Sequence, residues 1–174
     1  MHETTLLKTP GACTEEECRA FARLVREGFE TADARLEGRI RDANLLAFHY
    51  AADGALGAIA ALKAPPRTYR EEVFRQAKVP AGADDYALEL GWVYVAPAYR
   101  GRGIGVGLCG QLLARAGTGG LFATTRGDNV AMISMLRTLG FARVGIPYPR
   151  RDEELVVCLR PGMVVRAPDA LATP

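Results

Sequence analysis

The sequence predicts an α/β (α+β) domain built on a mixed, mostly antiparallel central sheet of about seven strands flanked by helices. Three observations lead there. Short apolar or alternating runs with strand character recur along the chain, separated by segments with helical spacing, and no internal repeat interrupts the order. An Asp53-Gly54 pair divides two of those runs as a tight hairpin turn would. The 174 residues, 49% hydrophobic and 24% charged, suit one core that folds alone. Residues 1–160 are therefore expected to form a single domain, and 161–174, with three prolines, a C-terminal tail.

Residues 4–8 (TTLLK) read as an opening strand that Thr9, Pro10 and Gly11 break. Thr14 and Glu17 fit the capping box S/T-x-x-E/Q, and Cys18, Phe21, Ala22, Val25 and Phe29 recur at helical spacing behind it, predicting a helix near 15–29. Leu36 and Ile40 among charges predict a shorter helix at 32–42. Residues 44–51 and 55–63 are the two hairpin strands, and Pro65 and Pro66 stop the second. A helix over 67–78 follows in the connection, either a substrate-side element or a solvated surface helix, with 80–85 as loop.

Residues 86–95 (YALELGWVYV) form the strongest strand, ended by Pro97. Ile104, Leu108, Leu112 and Leu113 mark a helix that Gly117, Gly119 and Gly120 end, and 121–125 (LFATT) is a strand. Asp128 or Asn129 caps a helix running to Leu139 and stopped by Gly140, and 141–146 and 153–160 close the sheet.

Charge excludes one class of partner. Lys plus Arg is 22 against 20 Asp plus Glu, so the net charge of +2 supplies no field for a nucleic acid. No apolar run reaches the ~18 residues of a membrane span and the chain starts without a basic-then-apolar leader, so no membrane and a cytoplasmic location are expected. Cys13, Cys18, Cys109 and Cys158 show no C-x-x-C pair. A metal site of Cys13, Cys18 and His49 is conceivable, but buried thiols explain the cysteines better, and no metal is expected.

Function concentrates in residues 95–107 (VAPAYRGRGIGVG), which join a strand to a helix. Glycines there expose main-chain N–H groups, and the helix start adds unpaired donors and a partial positive charge, so the turn is built for an anion. Arg100 and Arg102 bracket it, which suggests phosphate. No G-K-[ST] is present, which sets a P-loop aside. Gly105, Gly107 and Gly110 do match G-x-G-x-x-G, with Asp128 about twenty residues on, which would suit a dinucleotide. A dinucleotide turn, however, places its first glycine directly off the strand, whereas residues 96–102 intervene here.

The run Arg100, Gly101, Arg102, Gly103, Ile104, Gly105 resembles the Q/R-x-x-G-x-G/A pyrophosphate loop of the GCN5-related N-acetyltransferase (GNAT) family. A second block is similar as well: Asn129 opening a helix, then Leu139, Gly140 and Phe141, like the family's N-x-x-A…L-G-F segment, with Ala131 one position early. The element order parallels the family topology across about residues 4–160. The resemblance implies that acetyl-CoA is the co-substrate. Main-chain amides of Gly101, Arg102, Gly103, Ile104, Gly105 and Val106 would hold its pyrophosphate, with Arg100 and Arg102 near the phosphates. Val93 and Val95 would pair with the pantetheine arm along a strand that splays from its neighbour. Asn129 would contact that arm or cap its helix.

Transfer to an amine with a lysine-like pKa of ~10.4 needs a base. Glu89 stands eleven positions before Arg100, the offset of the strand glutamate that serves as base in the histone-acetylating branch of the family. By two-residue alternation Glu89 shares a face with Gly91, Val93 and Val95. A structural, ion-paired carboxylate is the competing reading. Many relatives carry a tyrosine acid where this chain has Leu136, and Tyr148, Tyr94 and Ser134 are the substitutes by proximity. Cys109 as an acetyl carrier, His49 as a catalyst and Trp92 in the acceptor cleft are weighed against packing or hydrogen-bonding roles, which are favoured. The acceptor is expected to be a small-molecule amine or a peptide, with no preference by charge, because Arg67, Arg70 and Arg75 mix with Glu71, Glu72, Asp84 and Asp85. A homodimer is compatible with the closing strands and tail. An acyl-CoA sensor lacking the acid, and a dinucleotide oxidoreductase, remain as alternatives.

Overall fold

The structure, a computed structural model, describes residues 2–29 and 34–162. Its strands are β1 (Thr4–Lys8), β2 (Leu45–Tyr50), β3 (Leu56–Lys63), β4 (Leu88–Val95), β5 (Leu121–Arg126), β6 (Ala142–Arg150) and β7 (Glu153–Arg160). They form one sheet in the order β1-β2-β3-β4-β5-β7-β6. Every neighbouring pair is antiparallel except β4 with β5, which run parallel. The helices are α1 (Glu15–Phe29), α2 (Leu36–Arg41), α3 (Arg67–Gln76), α4 (Ile104–Leu113) and α5 (Val130–Thr138).

Local chemistry sets the helix ends. The Thr14 amide donates to Glu17 Oε2 at 2.8 Å and the Glu17 amide to Thr14 Oγ1 at 3.1 Å, the reciprocal box that the spacing predicts. Behind it α1 buries Phe21, Ala22, Leu24 and Val25. The shorter helix begins at Leu36 rather than 32, and residues 30–33 lie outside the described ones. Most of the expected tail, residues 163–174, lies outside them too.

Alternation along the strands divides the core by face. Phe48, Ile59 and Trp92 pack under α1 and α2. On the same face, α3 sets Val73, Phe74 and Ala77 against Phe122, Val157 and Leu159. The opposite face carries α4 and α5, whose Leu108, Leu112 and Leu136 meet Ala60, Leu90 and Ala123. The first face therefore holds two apolar clusters, with a seam between them where β4 meets β5.

The strand expected at 141–146 runs on to Arg150, through Pro147 and Pro149. Because β6 is the last strand in the order, its missing N–H groups break no ladder on the open side. The pairing with β7 shifts between Val144 and Tyr148, and the Ile146 amide turns to the Ala77 carbonyl at 2.7 Å, tying the irregular stretch to the end of α3.

Candidate functional site

The parallel pair β4 and β5 is joined only at Leu88 with Leu121 and Glu89 with Phe122. Beyond Glu89, β4 continues to Val95 and β5 to Arg126 with no pairing between them, so the sheet opens into a wedge. A bulge accompanies the opening. Ile59 pairs with Tyr94 and Ala61 with Gly91, so two β4 residues, Trp92 and Val93, lie opposite the single Ala60 of β3. Trp92 sits in the bulge at φ +50°, a left-handed conformation that costs a non-glycine residue about 1–3 kcal/mol. Its ring is held by the edge of Phe21, with centroids 6.1 Å apart, and by the Arg39 and Lys63 cations at 5.5 and 5.4 Å.

The bulge corrects one expectation. Strict alternation put Glu89 on the face of Val93 and Val95. The extra residue flips the register, so Val93 and Val95 pack toward α4 while Trp92 and Tyr94 pack toward α1. Glu89 stays on the α1 and α3 side, directly opposite Lys63 of β3.

Glu89 is 2% exposed, and Lys63 Nζ lies 2.8 Å from its Oε1. Thr124 of β5 donates its hydroxyl to the same oxygen at 2.9 Å. Glu89 is thus the ion-paired carboxylate that the sequence reading weighed against a catalytic base. It sits at the apex of the wedge, where the pairing of β4 with β5 ends. Burial pushes the Lys63 ammonium below its ordinary pKa, with Glu89 opposing the shift. Gly91 makes the pair possible: a Cβ there would meet Lys63 Cε at 2.5 Å and displace the side chain.

A cavity of about 560 Å³ occupies the wedge and the seam. Val93, Thr124, Thr125, Asn129 and Met132 line one side, Val25, Phe29 and Trp92 another, and Lys63 reaches its wall. Lys63, Thr124 and Arg150 were missed in the sequence. Only Lys63 left a signal there, as a lone cation ending the apolar run 55–63.

The turn lies beyond the open end of β4. Gly101 and Gly103 adopt φ +76° and +74°, and Gly103 is the residue from which α4 starts. A Cβ on either would meet nothing within 4 Å. Among the described residues, no acceptor receives the amides of residues 101–106, whereas the Gly107 amide already bonds to the Gly103 carbonyl at 3.0 Å. These six donors with open space in front fit a diphosphate. The two arginines are engaged elsewhere. Arg100 Nε donates to the Val95 carbonyl at 2.9 Å, with its guanidinium 5.8 Å from the Tyr94 ring centre. Arg102 pairs with Glu3 at 2.5 Å, and the other Glu3 oxygen lies 3.8 Å from buried His49, whose Nδ1 meets the Thr5 hydroxyl at 3.1 Å.

Asn129 caps α5, its Oδ1 accepting the Met132 amide at 3.1 Å, and it lines the cavity as well. Asn129→Ala is expected to lower stability by about 1 kcal/mol, read as a fall in Tm, while Asn129→Asp retains the cap and the Tm. Tyr148 is 2% exposed in the cluster beneath α3, outside the cavity lining. Its hydroxyl has no hydrogen-bond partner among the described residues, and burial pushes its pKa up. Leu136 is fully buried between α5 and the sheet. Tyr94 donates to Glu27 at 2.6 Å and Ser134 is exposed. Burial pushes the Cys109 thiol up to about 12, which leaves it protonated and a poor acetyl carrier. Gly105, Gly107 and Gly110 all fall inside α4, so they form no dinucleotide turn. Among the described residues, no group of His, Cys, Asp or Glu could hold a metal ion, and no helix is long and apolar enough to cross a membrane.

The acetyltransferase (GNAT) family model matches residues 12–141. Over 61 residues, 35% of this chain, the sequence is 41% identical to the N-alpha-acetyltransferase RimI of Mycobacterium tuberculosis and 43% identical to the uncharacterized protein ML0378 of Mycobacterium leprae. The matched stretch spans only 39% and 17% of those two proteins. An acyl-CoA N-acyltransferase of Pseudomonas aeruginosa superposes with a TM-score of 0.68 at 18% identity, covering 91% of this chain and 99% of its own. The yncA structure from Salmonella typhimurium, solved with its cofactor acetyl-CoA, superposes with a TM-score of 0.64 at 20% identity, covering 98% of this chain and 99% of its own. Both share the seven-stranded fold.

Proposed function

The chain belongs to the acetyltransferase (GNAT) family, and on that premise we propose that it transfers an acetyl group from acetyl-CoA directly to an amine of a small molecule or peptide. One observation carries the reading: a turn with six unclaimed amides leads straight into a wedge whose apex holds a buried carboxylate. Acetyl-CoA, when bound, supplies the acyl group as an activated thioester.

The chain's own residues do the rest. The amides of residues 101–106 and the partial positive charge of the α4 N-terminus grip the diphosphate. The edge of β4 around Val93 and Val95, unpaired on its β5 side, offers main-chain groups to an extended arm, as a sheet edge does to an added strand. Asn129 and Met132 bound that arm from α5. Glu89, held in place by Lys63 and Thr124, accepts the proton of the incoming ammonium through water. Tyr148 is the remaining candidate for donor to the departing thiolate: its hydroxyl, buried beneath α3 outside the cavity lining, has no hydrogen-bond partner among the described residues. Tyr148→Phe is then expected to lower kcat about tenfold or more while leaving Tm unchanged, since no hydrogen bond is lost; unchanged kcat removes Tyr148 from the reaction.

Thermal shift with cofactors and thiol release with an amine panel test the reading. Acetyl-CoA at a hundred times its Kd should add about 2.7 kcal/mol of stability, and NAD none. Release of free thiol only when an amine is present supports transfer. Binding without release under any amine marks a sensor and contradicts the proposal.

A further inference from the structure

Resting on the acetyltransferase reading, we infer that the amine acceptor carries a carboxylate, received by Arg150 and Arg151 on the turn between β6 and β7. Along the sequence, cations and anions alternate and leave the acceptor's charge open. Folding sorts them. Among the described residues, Arg39, Lys63, Arg126, Arg150 and Arg151 line the cavity, with Glu153 as the carboxylate.

Arg39 has a partner within the protein, and Lys63 and Arg126 are matched by carboxylates. Lys63 is held by Glu89 at 2.8 Å, and Arg126 by Asp128 at 3.2 Å and Glu153 at 3.5 Å. Among the described residues, no carboxylate lies within ion-pair distance of Arg150 or Arg151. Arg150 is oriented by a neutral partner instead: its Nη1 donates to the Tyr69 hydroxyl at 3.1 Å, and its guanidinium lies 5.4 Å from the Tyr69 ring centre.

A bare ammonium entering this wall meets two guanidinium groups that no carboxylate pairs with among the described residues. An amine joined to a carboxylate supplies the counter-charge, because the anion matches two guanidinium groups whose planar forks suit its two oxygens. The ammonium is then left to the side of the cavity where Glu89 lies. No residue of the turn 100–106 lines this cavity, so the pair of arginines is separate from the group that would hold a diphosphate.

Matched amino acids and dipeptides with free or amidated carboxyl groups test the inference, with phosphoethanolamine and ethanolamine as a phosphate arm. Free carboxylates should be acetylated with kcat/KM about tenfold or more above their amides, the lower end of what a charge-assisted hydrogen bond supplies. Arg151→Gln, and Arg150→Gln with Arg151→Gln, should bring that ratio toward one while the KM for acetyl-CoA stays unchanged; the Tm should stay unchanged in the single exchange and fall slightly in the double, which loses the Arg150–Tyr69 hydrogen bond. Equal use of acid and amide by the unaltered protein overturns the inference. So does a stronger preference for phosphoethanolamine, or a rise in the acetyl-CoA KM matching the loss of acceptor preference. If no amine is acetylated, the enzymatic reading itself fails. The anion site then stands or falls on thermal shift with the acceptors alone: a rise in Tm with the free acids, absent in Arg151→Gln, supports it, and no rise overturns it.

Discussion

Gly103→Val is expected to weaken acetyl-CoA binding at least tenfold by calorimetry, more than 1.4 kcal/mol, while the sheet and its core stay folded. Gly103 sits at φ +74°, where a β-branched residue is strained by about 1–3 kcal/mol. The Cβ itself would meet nothing within 4 Å, so crowding inside the free protein is not the cause. Relief comes by returning φ to negative values. That change turns the amides on either side of Gly103 away from their common direction and shifts the start of α4. Gly103→Ala should show a smaller loss in the same direction, because alanine tolerates the left-handed region better than valine. Far-ultraviolet circular dichroism separates this outcome from unfolding, and unchanged affinity in both variants would remove the turn from the binding site.

Glu89→Gln is expected to lower kcat by about 10²–10⁴ with the KM for acetyl-CoA unchanged. Stability is a confounding effect, since the exchange leaves the Lys63 ammonium inside the protein without its counter-charge, and breaking a buried pair can cost about 3–5 kcal/mol. Lys63 keeps 15% of its side chain exposed and can shed its proton, so the loss should fall below that range. The double exchange Glu89→Gln with Lys63→Met separates the two roles. It removes the unpaired charge and should recover much of the Tm, yet kcat should stay low. Recovery of kcat together with Tm would reduce Glu89 to a structural ion-pair partner.

Much of this was legible in the residues, for reasons that differ from element to element. The capping box at Thr14 and Glu17, the hairpin at Asp53-Gly54 and the tight turn at Gly101 and Gly103 are local signals, fixed by the chemistry of a few neighbours, and the structure has all three. The register of β4 is not such a signal. Strict alternation has no way to announce a bulge at a tryptophan, because the extra residue is tolerated only through Phe21, Arg39 and Lys63, which arrive from other elements. Lys63 was invisible as a partner of Glu89 for the same reason: the two are 26 positions apart and meet only once β3 and β4 are in register. The strand read at 141–146 runs on through the prolines at 147 and 149, since their penalty vanishes on an edge strand and the edge is set by the whole sheet order. The charge of the cavity likewise emerges only when β3, β5 and the β6–β7 turn are brought around one space.

The most direct measurement is an amide-resolved NMR titration of the protein with acetyl-CoA. The main-chain amide signals of Gly101 through Val106 should move first and furthest, followed by those of Val93 and Val95, with NAD producing no such pattern. Saturable acetyl-CoA binding that leaves the 101–106 amides in place would contradict the account at its root.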